Sequence, residues 1–327
     1  MVFLYRDKSI VNIFFLILLG IAVHVHFFLA EPVLIIGEND GMFSVFLQSA
    51  MYAVPSTFIF IGYELIILLQ AIRLNMVLTE FRMFPQTNYT TAMTYVLFTG
   101  LVGTWCSISP ALISNSLVLW LFILLTRLYN NQSPRTLLFN IGLLVSITIL
   151  AYHPTALLIL VVLFALAVVR PFRMAEWLVL LMGVLMPYYF LLAYLFLTNQ
   201  LNEISRFIPS FQFHLPMQIT DYWLIASLGY LFLALLVGIY FWQIINNRMV
   251  IQIRKNWAVM MVLLLILLPV PFIFFGAAMD SAILLLIPIT AFVANAFGNP
   301  KRLFIPNLLF WIAILLVIHN NWDLIKK

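Results

Sequence analysis

Charge is what this sequence has least of. Asp, Glu, Lys and Arg make up 8% of its 327 residues, where a soluble domain carries about 25%. So few charges cannot solvate a globular surface, which excludes a water-soluble fold. Cysteine is almost absent as well. Cys106 stands alone, so no intrachain disulfide can form and the redox compartment cannot be read. It lies in an apolar run, where a lone thiol reads as a small packing residue. Nucleotide and protease signatures are missing: there is no Walker loop, no Gly-x-Gly-x-x-Gly, no His-Glu-x-x-His and no Gly-x-Ser-x-Gly elbow. ATP-driven transport by this chain is thereby excluded.

Apolar length is what the sequence has instead. Hydrophobic residues reach 65% and the mean hydropathy is +1.12. In hydrocarbon, backbone polar groups must be satisfied inside their own segment, so long apolar runs become helices. Eleven segments fit: 10–30, 49–72, 91–107, 111–126, 137–152, 155–169, 174–197, 222–244, 257–276, 281–297 and 304–319. The expected fold is all-α, a polytopic transmembrane helix bundle of about 11 spans, forming one domain over residues 1–327. The first segment has the charge and apolar core of a signal peptide. No small-residue cleavage site follows it, so it is expected to stay as the first helix.

Orientation follows from the gaps between these segments. Arg6, Lys8, Arg73, Arg82, Arg127, Arg135, Arg170, Arg173, Arg248, Arg254, Lys255, Lys301 and Arg302 fall on one side; only Arg206, Lys326 and Lys327 fall on the other. Short loops rich in Lys and Arg stay cytoplasmic, so the N-terminus is expected inside. The two terminal lysines break the pattern, and would fit it only if the last segment did not cross. Basic residues in ones and twos at helix ends contact lipid phosphates, not nucleic acid. Two outer segments have length, 31–48 and 198–221.

Acids and histidines favour the outer side. The five histidines, His24, His26, His153, His214 and His319, all lie near that boundary. Acid–base chemistry and metal binding both need such groups gathered, although polar residues also simply tolerate interfaces better than the bilayer centre. The sharpest local motif is Gly37-Glu38-Asn39-Asp40-Gly41. Glu38 and Asp40 are the candidate catalytic residues: one carboxylate accepts a proton from an attacking hydroxyl, or the pair holds a divalent cation, the only cofactor the sequence hints at. An exposed turn would use the same residues. His24 and His26 diverge by about 200° on a helix, so they share a face only if the span unwinds there. His24 alone facing the bundle would lie near His319 or His153.

Glu64 stands well inside the second segment. An intramembrane carboxylate is costly and faces a partner or a wet cavity. No Lys or Arg lies inside any segment, so the expectation is a protonated Glu64, or one bonded to Tyr or Asn side chains. Prolines recur at depth, and Pro269-Val-Pro271 is expected to break the ninth segment.

The stretch from Ser109-Pro-Ala-Leu-Ile-Ser-Asn-Ser to Ala151-Tyr-His-Pro-Thr-Ala-Leu-Leu, with Arg170-Pro-Phe-Arg173 and Met186-Pro-Tyr-Tyr189, resembles the mid-region of the polyprenyl-phosphate-dependent GT-C glycosyltransferases. The layout is also similar to multispan inner-membrane proteins of bacteria. The resemblance covers about residues 1–200 and implies a bacterial inner (plasma) membrane protein that takes a sugar from a lipid-linked donor at the outer face. It places catalytic acids in the first outer loop, where Glu38 and Asp40 stand. His153, Arg206 and His24 would then be the substrate-binding residues, with Arg suited to phosphate. The chain departs from that family in its short first outer loop and in having no soluble outer domain. Two other readings stay open: a proton-coupled transporter centred on Glu64, and a non-enzymatic subunit holding membrane protein partners in an envelope assembly.

Overall fold

The computed structural model of the chain describes residues 2–7, 9, 11–30, 41–51, 54–129, 131–211, 213, 222–274, 278–300 and 302–326. Among these the chain is all-helical, 82% helix with no strand. Each of the eleven expected segments contains helix. In chain order the helices are α1 (Val11–Val23), α2 (Met42–Met51), α3 (Ser56–Glu80), α4 (Thr90–Thr99), α5 (Pro110–Arg127), α6 (Pro134–Ala151), α7 (Leu158–Val169), α8 (Met174–Leu197), α9 (Tyr222–Asn246), α10 (Ile251–Leu267), α11 (Val270–Ile273), α12 (Ala278–Ser281), α13 (Leu286–Gly298) and α14 (Phe304–Lys326). Eight helical stretches among the described residues are long and apolar enough to cross a membrane, and Val11–Val23 and His153–Val169 are shorter apolar ones. This fits an integral multi-pass membrane protein.

The third expected segment comes out differently. α4 has ten residues, about 15 Å of rise, half of a hydrocarbon core of about 30 Å. It sits at the centre of the bundle between α1, α3 and α13, and all ten residues are buried. Surrounded by protein, it needs no lipid-facing side. Three of its four threonines bond locally: Thr94 donates to the Thr90 carbonyl at 2.7 Å and Thr99 to Val96 at 2.7 Å within the helix, and Thr90 donates to the Asn88 side-chain oxygen at 2.8 Å just ahead of it. Residues 100–109 then carry the chain onward to Ser109, whose hydroxyl accepts from the Leu112 N–H at 3.2 Å ahead of Pro110, an N-cap followed by an N1 proline.

One rim of the bundle collects the basic residues. Three helices, α5, α7 and α13, end there with free carbonyls, and cations meet each end. Arg6 donates to Phe297 at 2.6 and 2.9 Å and to Pro300 at 2.9 Å. Arg170 donates to Leu128 and Asn131 at 3.2 and 3.0 Å. Lys255 donates to Val169 at 2.9 Å. A cation at a helix C-terminus satisfies orphan carbonyls and opposes the negative end of the dipole. Beside Arg6, burial pushes the Tyr5 hydroxyl up to about 12, so it stays protonated and donates to the Phe15 carbonyl at 2.9 Å. Arg6→Ala should cost about 1–2 kcal/mol, the range for hydrogen bonds to a charged group discounted for partial exposure. Thermal melting in detergent checks this, and Arg6→Lys should recover only part of the loss, because an ammonium cannot reproduce the guanidinium's forked bonds to two carbonyls.

The opposite rim is held by amides. Asn321 donates to the Val23 carbonyl at 2.7 Å and Asn320 to Gly100 at 2.8 Å, tying α14 to the ends of α1 and α4. α14 therefore runs from one rim to the other, and 22 of its residues meet the length and composition for crossing. A last segment that fails to cross would explain the terminal lysines; α14 has the length to cross. Pro269 and Pro271 do break the ninth segment, between α10 and α11, whereas Pro187 lies inside an uninterrupted α8.

Two other features frame the site. The first expected outer loop is partly helical, as α2, and it begins at Gly41 with φ +119°. A side chain there would meet the Ala151 carbonyl oxygen at 2.6 Å, so the backbone rests on the end of α6 at a place only glycine allows. In the second expected loop, the described part forms a 3-10 segment, Leu201–Phe207, with no buried residue.

Candidate functional site

His24 and Glu64, forty residues apart, form a buried pair: Nδ1 to Oε1 is 2.6 Å, with the His24 side chain fully buried and that of Glu64 11% exposed. The local cause is a helix that stops. α1 ends at Val23, and His24 leaves the helical path (φ −109°, ψ 32°) before the 3-10 turn Val25–Phe28. That break swings both histidines inward, their rings 6.3 Å apart at 73°. The expected 200° divergence belongs to an unbroken α-helix. The partner expected for Glu64 was a Tyr or Asn side chain; the one found is the His24 imidazole.

Hydrogen bonding around His24 fixes most of its protons. The Tyr63 hydroxyl donates to the Trp105 carbonyl at 2.8 Å and the Thr99 hydroxyl to Val96 at 2.7 Å. Each also lies 3.2 Å from His24 Nε2. With their protons committed to the nearer carbonyls, both oxygens can only accept, so Nε2 carries hydrogen. One further proton is then shared between Nδ1 and Oε1. The pair is an imidazolium–carboxylate or an imidazole–carboxylic acid, with zero net charge either way. Among the described residues Glu64 Oε2 has no hydrogen-bond partner. Leaving a buried carboxylate oxygen without a donor is expensive, which favours the neutral arrangement with Glu64 as donor.

His26 faces the other way along the same turn. Its Nδ1 bonds the Asn321 side-chain oxygen, and its ring is part of the wall of a cavity of about 670 Å³ at the rim opposite the basic residues. Cys106, Trp223, His319, Asn320 and Asp323 also line it, among apolar neighbours from Leu29 to Met279. His319 Nδ1 is 3.5 Å from Asp323 Oδ2, one helical turn on. Trp223 stacks on His319, ring centres 3.7 Å apart at 22°. Cys106, expected as a packing residue, is buried yet forms part of the wall. The arrangement offers an acid–base pair, an aromatic face and amides beside apolar surface, the usual composition of a small-molecule site.

The other candidates are placed as follows. Glu38 and Asp40 lie outside the described residues, as does His214, so the divalent-cation expectation on that pair has no geometry to meet. The chain leaves the cavity wall at Ala30 and returns at Gly41 against Ala151, so both ends of that segment are anchored on this rim. His153 is buried two residues beyond Ala151 and is not part of the cavity wall. Arg206 is 67% exposed at its side chain, 3.4 Å from Glu203, and also outside the wall. Among the described residues no three His, Cys, Asp or Glu side chains group as a metal site.

Trp223 and the Asn320–Asn321 pair were not singled out by sequence. Two amides directly after His319 in an otherwise apolar helix were the available signal, since polar groups at membrane depth mark cavities or partners. A second buried network lies deeper: Tyr95 donates to Gln70 Oε1 at 2.6 Å, Asn115 to the Tyr95 oxygen at 3.0 Å, and Gln70 to Leu112 at 2.7 Å. It links α3, α4 and α5 and reads as bundle glue. Comparison with protein-family models, curated proteins and solved structures gives no match, so function rests on the chemistry of these side chains.

Proposed function

We propose that this chain is an inner-membrane protein with its N-terminus in the cytoplasm, working at the outer rim, where it transfers a sugar from a polyprenyl-phosphate donor as GT-C-like enzymes do. The observation that carries this reading is the cavity of about 670 Å³ that combines the His319–Asp323 pair with Trp223 and apolar walls. A lipid-linked sugar needs those three things: a base for the acceptor hydroxyl, a ring face for the sugar and apolar surface for the prenyl chain. In the reaction the acceptor oxygen bonds the anomeric carbon as its proton passes to a carboxylate or imidazole. The anomeric carbon–oxygen bond to phosphate breaks, and polyprenyl phosphate leaves. Glu38 or Asp40 remains the candidate base on the segment anchored by Ala30 and Gly41, with His319 as the described alternative.

The test is mass spectrometry of lipid-linked glycans in cells carrying His319→Ala, Asp323→Asn or the Glu38→Ala/Asp40→Ala double variant, at matched protein levels. Loss of a general base costs about 10²–10⁴ in rate, so the donor should accumulate and its product disappear. An unchanged glycan profile in all three would overturn the reading.

A second reading, proton-coupled transport, draws on the His24–Glu64 pair, which holds one shared proton inside the bundle. The cavity wall includes His26 but not Glu64, so a transported solute there would meet the pair only indirectly. If transport is the function, Glu64→Gln abolishes the pH dependence of uptake while solute binding persists; an unaltered pH dependence would end this alternative.

A further inference from the structure

A groove of about 300 Å³ runs between α6, α7 and α8, walled throughout by apolar side chains. Phe172, Met174 and Trp177 mark its end at the basic rim, and Val184 its deeper end. From Met174 to Val184 the helix rises about 15 Å, the depth of one leaflet of a hydrocarbon core of about 30 Å. Phe172 and Met174 are 70% and 64% exposed, so the mouth faces the surroundings.

Charge at that mouth is unbalanced. Arg173, between Phe172 and Met174, has a side chain 65% exposed and lies 3.8 Å from Glu176. The Glu176 carboxylate is already held by Arg170 at 3.1 Å, so two guanidinium groups share one carboxylate. The half-buried Arg170 is further committed to the Leu128 and Asn131 carbonyls. The surplus positive charge therefore sits on Arg173. Arg135 opens α6 on the same rim and adds to it.

We propose that the groove holds an acyl chain of an anionic phospholipid from the basic-rim leaflet, with its phosphate at Arg173. About 300 Å³ spread over about 15 Å leaves a cross-section of about 20 Å², room for a chain and not for a partner helix about 10 Å across. The surplus cation selects an anionic head over a zwitterionic one, because juxtamembrane arginines attract anionic lipid by about fivefold each. This site is separate from the outer-rim cavity and independent of the glycosyltransferase reading.

The test uses the full chain, purified and stripped of lipid, titrated with phosphatidylglycerol or phosphatidylcholine of identical acyl chains and read by native mass spectrometry. Phosphatidylglycerol should bind about fivefold more tightly. Arg173→Gln should bring it to the phosphatidylcholine level. Leu181→Trp, which fills the groove, should weaken both lipids; Leu178→Trp substitutes if the first variant melts early without lipid. Equal binding of the two lipids by the unaltered chain would overturn the proposal. So would an undiminished preference in Arg173→Gln, or full binding with the groove filled.

Discussion

Glu64→Leu should destabilise the chain by about 2–3 kcal/mol, the cost of a buried donor or acceptor left unmade, whereas Glu64→Gln should stay within about 1 kcal/mol of the parent on the same grounds. The difference comes from the proton inventory at His24. With Nε2 carrying hydrogen toward Tyr63 and Thr99, Nδ1 needs a donor. A carboxylic acid supplies one at 2.6 Å, and so does the glutamine amide. Leucine does not, and it leaves Nδ1 facing apolar neighbours. His24→Leu should cost a similar amount by stranding Glu64. The double variant His24→Leu/Glu64→Leu should cost clearly less than the sum, because breaking a buried pair costs about 3–5 kcal/mol while replacing both members with apolar groups is near neutral. Thermal melting of the four proteins gives the coupling directly. Additive losses would show that the two side chains are energetically independent.

Gly183→Ala should be strongly destabilising, and Gly183→Leu should prevent folding. In a solvated helix, replacing glycine by alanine gains about 1 kcal/mol. Here the sign reverses, because α6 and α8 touch backbone to backbone. A side chain on Gly183 would overlap the Phe139 carbonyl oxygen and crowd the Gly142 Cα at 3.2 Å; one on Gly142 would meet the Val184 nitrogen at 2.9 Å. Main-chain atoms cannot swing aside as a side chain can, so the helices must separate. Overpacking of this kind costs about 1–3 kcal/mol where side chains can yield, and more where they cannot. Small residues that let helices meet closely are the main means of packing in lipid, where no hydrophobic force drives helices together. The yield of monodisperse protein on size exclusion reads the effect. A Gly183→Ala variant as stable as the parent would contradict the contact.

Much of this fold was legible because lipid leaves the backbone few choices. An apolar run in hydrocarbon becomes a helix whatever its neighbours, so eleven segments read from hydropathy alone all contain helix. The failures fall where protein, not lipid, surrounds the chain. α4 is short and rich in threonine because it is packed on all sides, and hydropathy cannot distinguish a buried half-helix followed by an irregular stretch from a full span. α2 was read as loop because ten residues at a rim carry no spanning signal.

The site was legible by type and not by pairing. Glu64 stood out as a costly intramembrane acid, and the histidines as a group on one side. The contact between His24 and Glu64 depends on a helix ending at Val23, where no side chain caps the turn that follows. His319 with Asp323 is a pair four residues apart that sequence could have offered. Trp223, which stacks on it, comes from a helix nearly a hundred residues earlier, and only the packing of α9 against α14 brings it there.

Sidedness carries the functional proposal, and cysteine labelling on intact cells tests it most directly. With Cys106 changed to serine, a single cysteine is introduced at Asp323, in the cavity wall, or at Gln132, an exposed residue between α5 and α6. A membrane-impermeant maleimide should label Asp323→Cys from outside and reach Gln132→Cys only after the membrane is opened. Labelling in the reverse pattern would place the cavity in the cytoplasm and contradict the account.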